Sequence, residues 1–431
     1  MSITEEHNYK HIIKYVESRL ISDIDAKKNR GEVFTPLNLI NDMLDHLPKE
    51  VWSNPNLKWL DPSNGIGNFP ICVYYRLMNG LKDLFADKKE RSKHIIKNML
   101  YMVELDLSNV AISKSIFLDG NISQQDFLKY KKPEGFPDKF DIIMGNPPFN
   151  MPKIGTQTGS RAKNSLWDKF VIHCLDKLIL NGYLIFIHPA QWRGLGPDYH
   201  KIWDILSNKQ LLYLRIYGEK DGKDIFKIGS RFDVYILQNS DNTEPTQVID
   251  ELGEPHYLKL NEWPFLPNYD YNVISKILTS EEKGIDVIQS YSNYFAYGKN
   301  LKMNKVKSKE HKYPIVHSIT QKGVSCWYSN DNTKGHFGVP KVLLSFNRHQ
   351  YSYPEQNDYD GKYGMSQICF GLPIFSRQEG DDILKAVDTD VFKTIIKFTK
   401  WGAFQTDYRM FKYFRPDWYK IILQLENKLF H

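Results

Sequence analysis

Asn146-Pro147-Pro148-Phe149 is the segment of this 431-residue chain whose residue types and order specify chemistry most directly. The apolar run Phe140-Asp141-Ile142-Ile143-Met144-Gly145 leads straight into it and reads as a buried strand. Two prolines cannot continue a sheet ladder, so the chain must leave the sheet at its carboxyl edge, where open α/β sheets bind ligands. Each proline fixes its own φ and restricts the residue before it, which makes the loop rigid. An aromatic amine is a poor nucleophile because its lone pair is delocalised into the ring. The Asn146 side-chain oxygen and the Pro147 carbonyl can accept its two N–H bonds, localise the lone pair and aim it at a methyl sulfonium. Alignment supplies much of the acceleration, with no need of a metal, a covalent intermediate or a strong base. Phe149 would stack on the acceptor base, and a base in a duplex would first have to be flipped out, at a cost of a few kcal/mol.

A second constellation lies upstream. Trp59-Leu60-Asp61-Pro62-Ser63-Asn64-Gly65-Ile66-Gly67-Asn68-Phe69 reads as an apolar strand, a glycine turn and a helix start. Gly65 and Gly67 let the backbone approach a ligand at a helix N-terminus, whose amides favour polar or anionic groups. Pro70 stands third after Gly67, so the full G-x-G-x-x-G pattern is absent and a dinucleotide is disfavoured. Met102-Val103-Glu104-Leu105-Asp106 ends another strand with a carboxylate suited to ribose hydroxyls. Asp126-Phe127 follows in a polar loop, where a carboxylate and a ring can hold an adenine by its amine and its face. Each acid alone is more often a surface residue; their order after a glycine turn is what points to a cofactor.

These loops need a sheet to position them. Strands are predicted at 58–60, 100–104, 140–144, 183–188, 211–217 and 233–238, with helices at 37–47, 69–81 and 166–180 between them. Such alternation implies a mostly parallel sheet covered on both faces. The turn-rich segment 239–245 marks a boundary, giving a catalytic domain over 1–240, with a helical extension at 1–30, and a second domain over 241–431. The second domain is irregular: short strands, many Tyr, Asn, Gly and Pro, and a last helix at 418–429.

Composition narrows the class. Hydrophobic residues make up 41% and charged residues 25%, so the chain can bury real cores and is not disordered. Cys72, Cys174, Cys326 and Cys369 show no C-x-x-C spacing and read as reduced, intracellular and non-metal; no metal site is expected. None follows a proline, which removes the Pro-Cys nucleophile of cytosine carbon-5 methylation. No apolar run approaches the ~18 residues of a membrane helix, and the first thirty residues are too charged for a signal peptide. A cytoplasmic protein with no membrane partner is expected. Net charge is only +6, yet 296–350 holds ten Lys/Arg against two acids and 393–420 holds seven against two. Aromatics interleave with both stretches, as in a nucleic-acid footprint, although a solvated basic face explains a single such patch as often.

With these motifs in this order, residues 30–240 resemble the gamma-class amino-DNA methyltransferases, the adenine-modifying enzymes of restriction systems. The resemblance implies a Rossmann-like, seven-stranded fold dependent on S-adenosylmethionine, with one antiparallel strand near the sheet's end. It also implies an α+β C-terminal region that reads double-stranded DNA, and a restriction endonuclease acting separately as partner. Gly31-Glu32-Val33-Phe34-Thr35-Pro36 resembles the upstream cofactor motif, whose Thr-Pro loop contacts the methionine end. Asp61, Pro62, Gly65 and Gly67 match the central motif, with Asn64 where the family often has Cys. Glu104 fits the ribose acid, Leu105 a residue packing on the cofactor adenine, and Asp126 with Phe127 the adenine clamp. Asn146 closes the set, shared between cofactor and acceptor. Asn164-Ser165-Leu166-Trp167 and His188-Pro189-Ala190-Gln191-Trp192-Arg193 resemble the later motifs. Phe226 corresponds best to a second aromatic holding the flipped base, with Phe232 the competing candidate.

The function expected is site-specific methylation of adenine N6 in duplex DNA. The same loop occurs in enzymes acting on guanine N2 of RNA or on a protein glutamine amide; the Thr35-Pro36 motif and the ~190 residues after the catalytic domain favour DNA. Cytosine N4 enzymes more often carry Ser at the position of Asn146. A fused or derived restriction endonuclease is the alternative from another class. Pro416-Asp417 with Glu426-Asn427-Lys428 superficially fits a PD…ExK site, but both fall in one helical stretch with no strands to converge the carboxylates.

Overall fold

The computed structural model describes residues 2–4, 9–22, 34–151, 165–279, 284–289, 303–346, 352–402 and 406–429. The chain divides into one unit of Met1–Trp192 with Pro197–Trp263 and another of Arg193–Gly196 with Pro264–His431.

In the first unit the apolar runs become the strands of one sheet: β1 (Trp59–Asp61), β2 (Leu100–Glu104), β3 (Asn121–Gln124), β4 (Phe140–Gly145), β5 (Leu178–Pro189), β6 (Lys209–Tyr217), β7 (Phe232–Asp241), β8 (Thr246–Ile249) and β9 (Pro255–Leu258). Their spatial order is β3-β2-β1-β4-β5-β7-β6-β8-β9. Strands β1 to β5 pair in parallel, whereas β7 runs antiparallel to both β5 and β6. The seven expected strands are therefore present with their one antiparallel member, and β8 and β9 extend the sheet beyond β6. Segment 239–245 holds the end of β7 and the turn into β8, and the unit continues to Trp263. Thr246 and Val248 are fully buried, so the pleat of β8 belongs to this core.

Helices α1 (Tyr9–Ser22), α2 (Leu37–Leu44) and α3 (Asn68–Gly80) give Ile12, Val16, Leu39, Ile40, Ile71 and Val73 to the cluster that includes Ile142, Met144, Ile185 and Ile187 of the sheet. Each such side chain contributes roughly 1.5–3 kcal/mol of burial. Helices α4 (Lys88–His94) and α5 (Leu107–Phe117) flank β2 in sequence. Helix α6 (Trp167–Lys177) buries Trp167, Phe170, Val171 and Cys174. It stops earlier than its apolar pattern suggests, because Leu178 already belongs to β5. Asn181 has φ +60°, and a Cβ on Gly182 would lie 2.7 Å from the Asp141 carbonyl, so this bend admits no helix. Helices α7 (His200–Ser207) and α8 (Glu219–Phe226) complete the unit.

The second unit holds two four-stranded sheets. The first, in spatial order, is β10 (Ile288–Gln289), β17 (Cys369–Pro373), β14 (Lys341–Ser345) and β15 (Asn357–Asp358). The other is β11 (Met303–Asn304), β13 (Gly323–Ser329), β12 (Tyr313–Thr320) and β16 (Gly364–Met365). Among the described residues, four helices accompany them: α9 (Tyr271–Ile277), α10 (Arg377–Asp388), α11 (Asp390–Phe398) and α12 (Trp418–Leu429). The unit is α+β, as expected. Among the described residues, no helix is long and apolar enough to cross a membrane.

Candidate active site

The strand order reverses between β1 and β4, and the loops leaving their carboxyl ends line one cavity of about 1100 Å³. Such a switch point is where open α/β sheets bind ligands.

The glycine loop forms one wall. Gly65 has φ +56° and Gly67, the N-cap of α3, φ +99°, both left-handed. A Cβ on Gly65 would come 3.1 Å from the Phe34 ring, and one on Gly67 would come 2.9 Å from Phe117. Phe34 thus covers the loop from the upstream motif. Thr35 is buried, and its carbonyl accepts a 2.9 Å bond from Asn68 Nδ2, which ties the Thr-Pro loop to α3. Gly31, Glu32 and Val33 of that motif lie outside the described residues, as does Asn164. Phe34 and Thr35 line the cavity, and Pro36 is the N-cap of α2.

Asn64, the departure from the family pattern, has a task of its own. Its Nδ2 donates to Ser113 Oγ on α5 at 2.7 Å and to the Gly65 carbonyl at 3.1 Å, while Ser113 Oγ donates to the same carbonyl at 3.2 Å. A cysteine could not make this amide latch.

Four acids line the cavity, Asp61, Glu104, Asp106 and Asp126. Asp61 is buried at the end of β1 and accepts from the Ser63 amide at 3.1 Å. Burial, reinforced by the neighbouring charge of Glu104, raises its carboxyl well above the ordinary carboxylate range. Glu104 accepts from the Gly65 amide at 2.6 Å through one oxygen, and from Leu105 and Asp106 amides at 2.9 and 2.8 Å through the other. Leu105 is 63% exposed on the cavity wall, an apolar surface ready for a flat ring. Asp126 caps a short 3-10 turn through the Leu128 amide at 3.0 Å and has Lys129 Nζ at 3.7 Å. Phe127 is buried, with its ring stacked on Phe170 at 5.6 Å.

Opposite stands the rigid loop. Asn146, Pro147, Pro148 and Phe149 all line the cavity, together with Pro62. A Cβ on Gly145 would meet Asp61 Oδ1 at 3.1 Å, so glycine here lets the two loops meet. The Phe149 carbonyl accepts from the Leu166 amide at 3.1 Å, and Asn150 bridges to Ser165. This anchors the loop to the start of α6.

Phe226, expected from sequence to stack on the base, lies away from the cavity. It is 5% exposed, absent from the cavity lining, and its ring meets Phe232 edge-on at 4.9 Å. Phe232 is itself stacked on Tyr217 at 4.5 Å. Both rings pack in the core, and stacking on a base would require Phe226 to leave it. His188 is buried and stacked on Trp167 at 4.4 Å, and Trp192 Nε1 donates to buried Asp233 at 2.6 Å. These later motif residues pack the sheet end instead of lining the cavity.

Sequence reading named Leu166 within a later motif but missed Lys169, Phe170 and His173 of α6. Leu166, Lys169, Phe170 and His173 line the cavity. Their three- and four-residue spacing is one helical face and was the available signal. In the second unit, the basic-aromatic stretch at 393–420 is described except for residues 403–405. Trp401 and Tyr408 are buried and Arg409 forks onto Asp407 at 2.7 and 2.8 Å, so these groups serve packing. The PD…ExK fragments are employed locally: Glu426 accepts from the Asp390 and Val391 amides at 3.2 and 3.0 Å, and Asp417 pairs with Arg415 at 2.7 Å.

Comparison with known proteins places the same region. Residues 73–226 match the Eco57I restriction-modification methylase family. An uncharacterized adenine-specific methylase of Mycoplasma pneumoniae is 26% identical over 284 residues, covering 48% of this chain and 66% of that protein. Modification methylase CviBIII of Paramecium bursaria Chlorella virus NC1A is 24% identical over 224 residues, covering 51% and 52%. The chain thus spans between half and two thirds of the length of these relatives. The DNA complex of the Type IIL restriction-modification enzyme MmeI superposes with a TM-score of 0.50 at 11% identity, over 85% of this chain and 65% of that one. Residues 73–226, which lie in the first unit, are thus similar to the Eco57I restriction-modification methylase family, and they are carried on a mostly parallel α/β sheet.

Proposed function

We propose that the chain methylates N6 of adenine at a specific site in duplex DNA, using S-adenosylmethionine. One observation carries this reading: the glycine loop and Asn146-Pro147-Pro148-Phe149 open onto the same cavity at the switch point between β1 and β4. The name of the Mycoplasma pneumoniae relative supports adenine as acceptor.

The residues fit the cofactor. Glu104 offers carboxylate oxygens to ribose hydroxyls, exposed Leu105 a surface for the adenine face, and Asp126 an acceptor for the adenine amine. Asp61 is a buried carboxyl that a cation would ionise. Ser63 Oγ and Asn68 Oδ1 are buried in the cavity wall without a hydrogen-bond partner among the described residues, which suits a polar ligand. When bound, the group supplies an electrophilic methyl on a sulfonium. The chain's own part is alignment. Asn146 Oδ1 and the Pro147 carbonyl accept the two N–H bonds of the amine, Phe149 stacks on the base, and the Asn68-tied Thr35-Pro36 loop holds the methionine end. The methylated amine is acidic enough to release its surplus proton to water. The second unit reads the DNA, and a restriction endonuclease acting separately is the partner this implies.

Labelled S-adenosylmethionine tests the reading. Label is expected in duplex DNA as N6-methyladenine. Asn146→Ala is expected to lower transfer roughly 100–1000-fold, the scale of losing one transition-state hydrogen-bond partner, with cofactor still bound. Label recovered only in RNA or protein would sink the proposal.

A further inference from the structure

We propose that the Trp327-bearing face of the β12–β13 hairpin is a duplex-DNA contact surface, with the half-buried Trp327 and His317 as a stacked platform flanked by Lys305 and Lys312. The identity of the occupant rests on the reading of the chain as a DNA methyltransferase; the surface itself rests on the following geometry.

The two strands pair antiparallel from Tyr313↔Ser329 to Thr320↔Gly323, with a bulge between Val316 and Ser318. Val316, Val324 and Cys326 turn inward onto a core with Leu343, Met365 and Cys369. The alternate residues Ile315 and Trp327 take the opposite face, in a small cluster with Met303 and Phe337. A bulge re-aims a side chain, and here the extra residue is His317. Its ring stacks on Trp327 at 4.9 Å and 24°. Lys305 Nζ lies 5.5 Å from the centre of the Trp327 ring, and Lys312 Nζ lies 5.0 Å from that of Tyr313. Both lysines are exposed.

Charge identifies the partner. From Met303 to Ser329 the chain has five lysines against a single acid, Glu310. A segment with charge of one sign suits a polyanion. Shape narrows it further. The flanking strands β11 and β16 pair only near the base of the hairpin, at Tyr328–Ser329 and Ile315–Val316. From Ser318 to Ser325 the strands pair, among the described residues, only with each other. A two-stranded ribbon of this kind is what the major groove of B-DNA admits. At its tip Ser318 and Ser325 share a 2.7 Å hydrogen bond, and Lys322 is exposed in the turn, so hydroxyl and ammonium groups lead into the groove. Lys305 and Lys312 would then sit over phosphates, and the Trp327–His317 pair against sugars and base edges.

The test uses the full chain and a fluorescent mixed-sequence duplex, read by anisotropy across a salt series. Lys305→Glu combined with Lys312→Glu changes exposed side chains only, so thermal unfolding should be unaltered. Duplex Kd is expected to rise at least about tenfold, and the slope of log K against log salt to fall by about 2, one unit for each phosphate that a lysine no longer neutralises. Trp327→Phe, which keeps the apolar cluster filled, should weaken binding at high salt where the lysines are screened. Unchanged affinity and slope in the double variant would overturn the proposal, as would an RNA hairpin displacing the duplex more effectively than DNA does. If the wild-type chain methylates no DNA but the double variant still loses duplex binding, the reaction reading fails and the surface stands. If wild type methylates DNA and the double variant binds normally, the surface alone is wrong.

Discussion

Asp61 and Phe226 show how much a single side chain depends on what covers it. Asp61 sits at the end of β1, where burial and the nearby charge of Glu104 favour its protonated form. Its folded pKa is raised, so the protein binds more protons than the unfolded chain above the ordinary carboxylate range. Stability of the cofactor-free protein is therefore full below that range and is lost as pH rises through the raised value. Asp61→Asn should remove this dependence and raise the neutral-pH unfolding midpoint by about 2–4 °C, the shift that ~1 kcal/mol gives in a domain of this size. The same variant should weaken S-adenosylmethionine about tenfold or more, because the neutral amide gives a cation no counter-charge. Calorimetry and titration together check both signs, and a variant that destabilises the free protein would refute the account. Phe226 is a core ring, so Phe226→Ala should cost about 3–5 kcal/mol of stability. Phe149 lines the cavity while packing partly against the core, and Phe149→Ala should cost less stability than Phe226→Ala while raising the KM for the proposed DNA substrate. Unfolding midpoints and kinetics of the two variants decide between the rings.

At the scale of elements, the site is a meeting of loops permitted by three glycines. Gly65 and Gly67 adopt left-handed backbone, and Gly145 leaves room for Asp61. Gly67→Ala combines positive φ with a Cβ 2.9 Å from Phe117, so it should cost about 1–3 kcal/mol and shift the turn that begins α3. Cofactor affinity should fall with it; isothermal titration showing an unchanged Kd would mean that the loop does not touch the ligand. The Asn64–Ser113 latch serves the same turn from the other side, holding the Gly65 carbonyl toward α5. Helix α6 contributes its Leu166–His173 face to the cavity.

At the scale of the molecule, the boundary between the units passes through the His188–Arg193 motif. Trp192 belongs to the first unit and Arg193 to the second. The buried Arg193 guanidinium donates to the Leu266 and Pro267 carbonyls at 3.0 and 3.2 Å and to Asn268 Oδ1 at 2.9 Å. Asn268 in turn donates to the Lys400 carbonyl at 2.8 Å. Arg193→Ala would leave these acceptors dry and unmatched, which should cost the second unit about 3 kcal/mol or more. Amide exchange should speed up around 264–268, while S-adenosylmethionine affinity stays within about twofold. Loss of cofactor binding with unchanged exchange would reverse that assignment.

What the sequence by itself determined was the order of the motifs that meet at the cavity. Asn146-Pro147-Pro148-Phe149, the Asp61–Gly67 turn, Glu104 and Asp126 are contiguous motifs, and the strands that carry them are apolar runs with clear ends. Parallel strands fix where such ends lie, so the shared cavity was legible in the order of residues. Only the tertiary structure decided which rings are free. Phe226, Trp401 and Tyr408 have the composition of binding residues, yet they are covered by neighbours distant in sequence. It also decided the sheet's true extent. β3 is a polar edge strand made by pairing with β2, and β8 and β9 follow a turn that reads as a boundary. Burial depends on partners that local pattern does not name, whereas loop chemistry is written in consecutive residues.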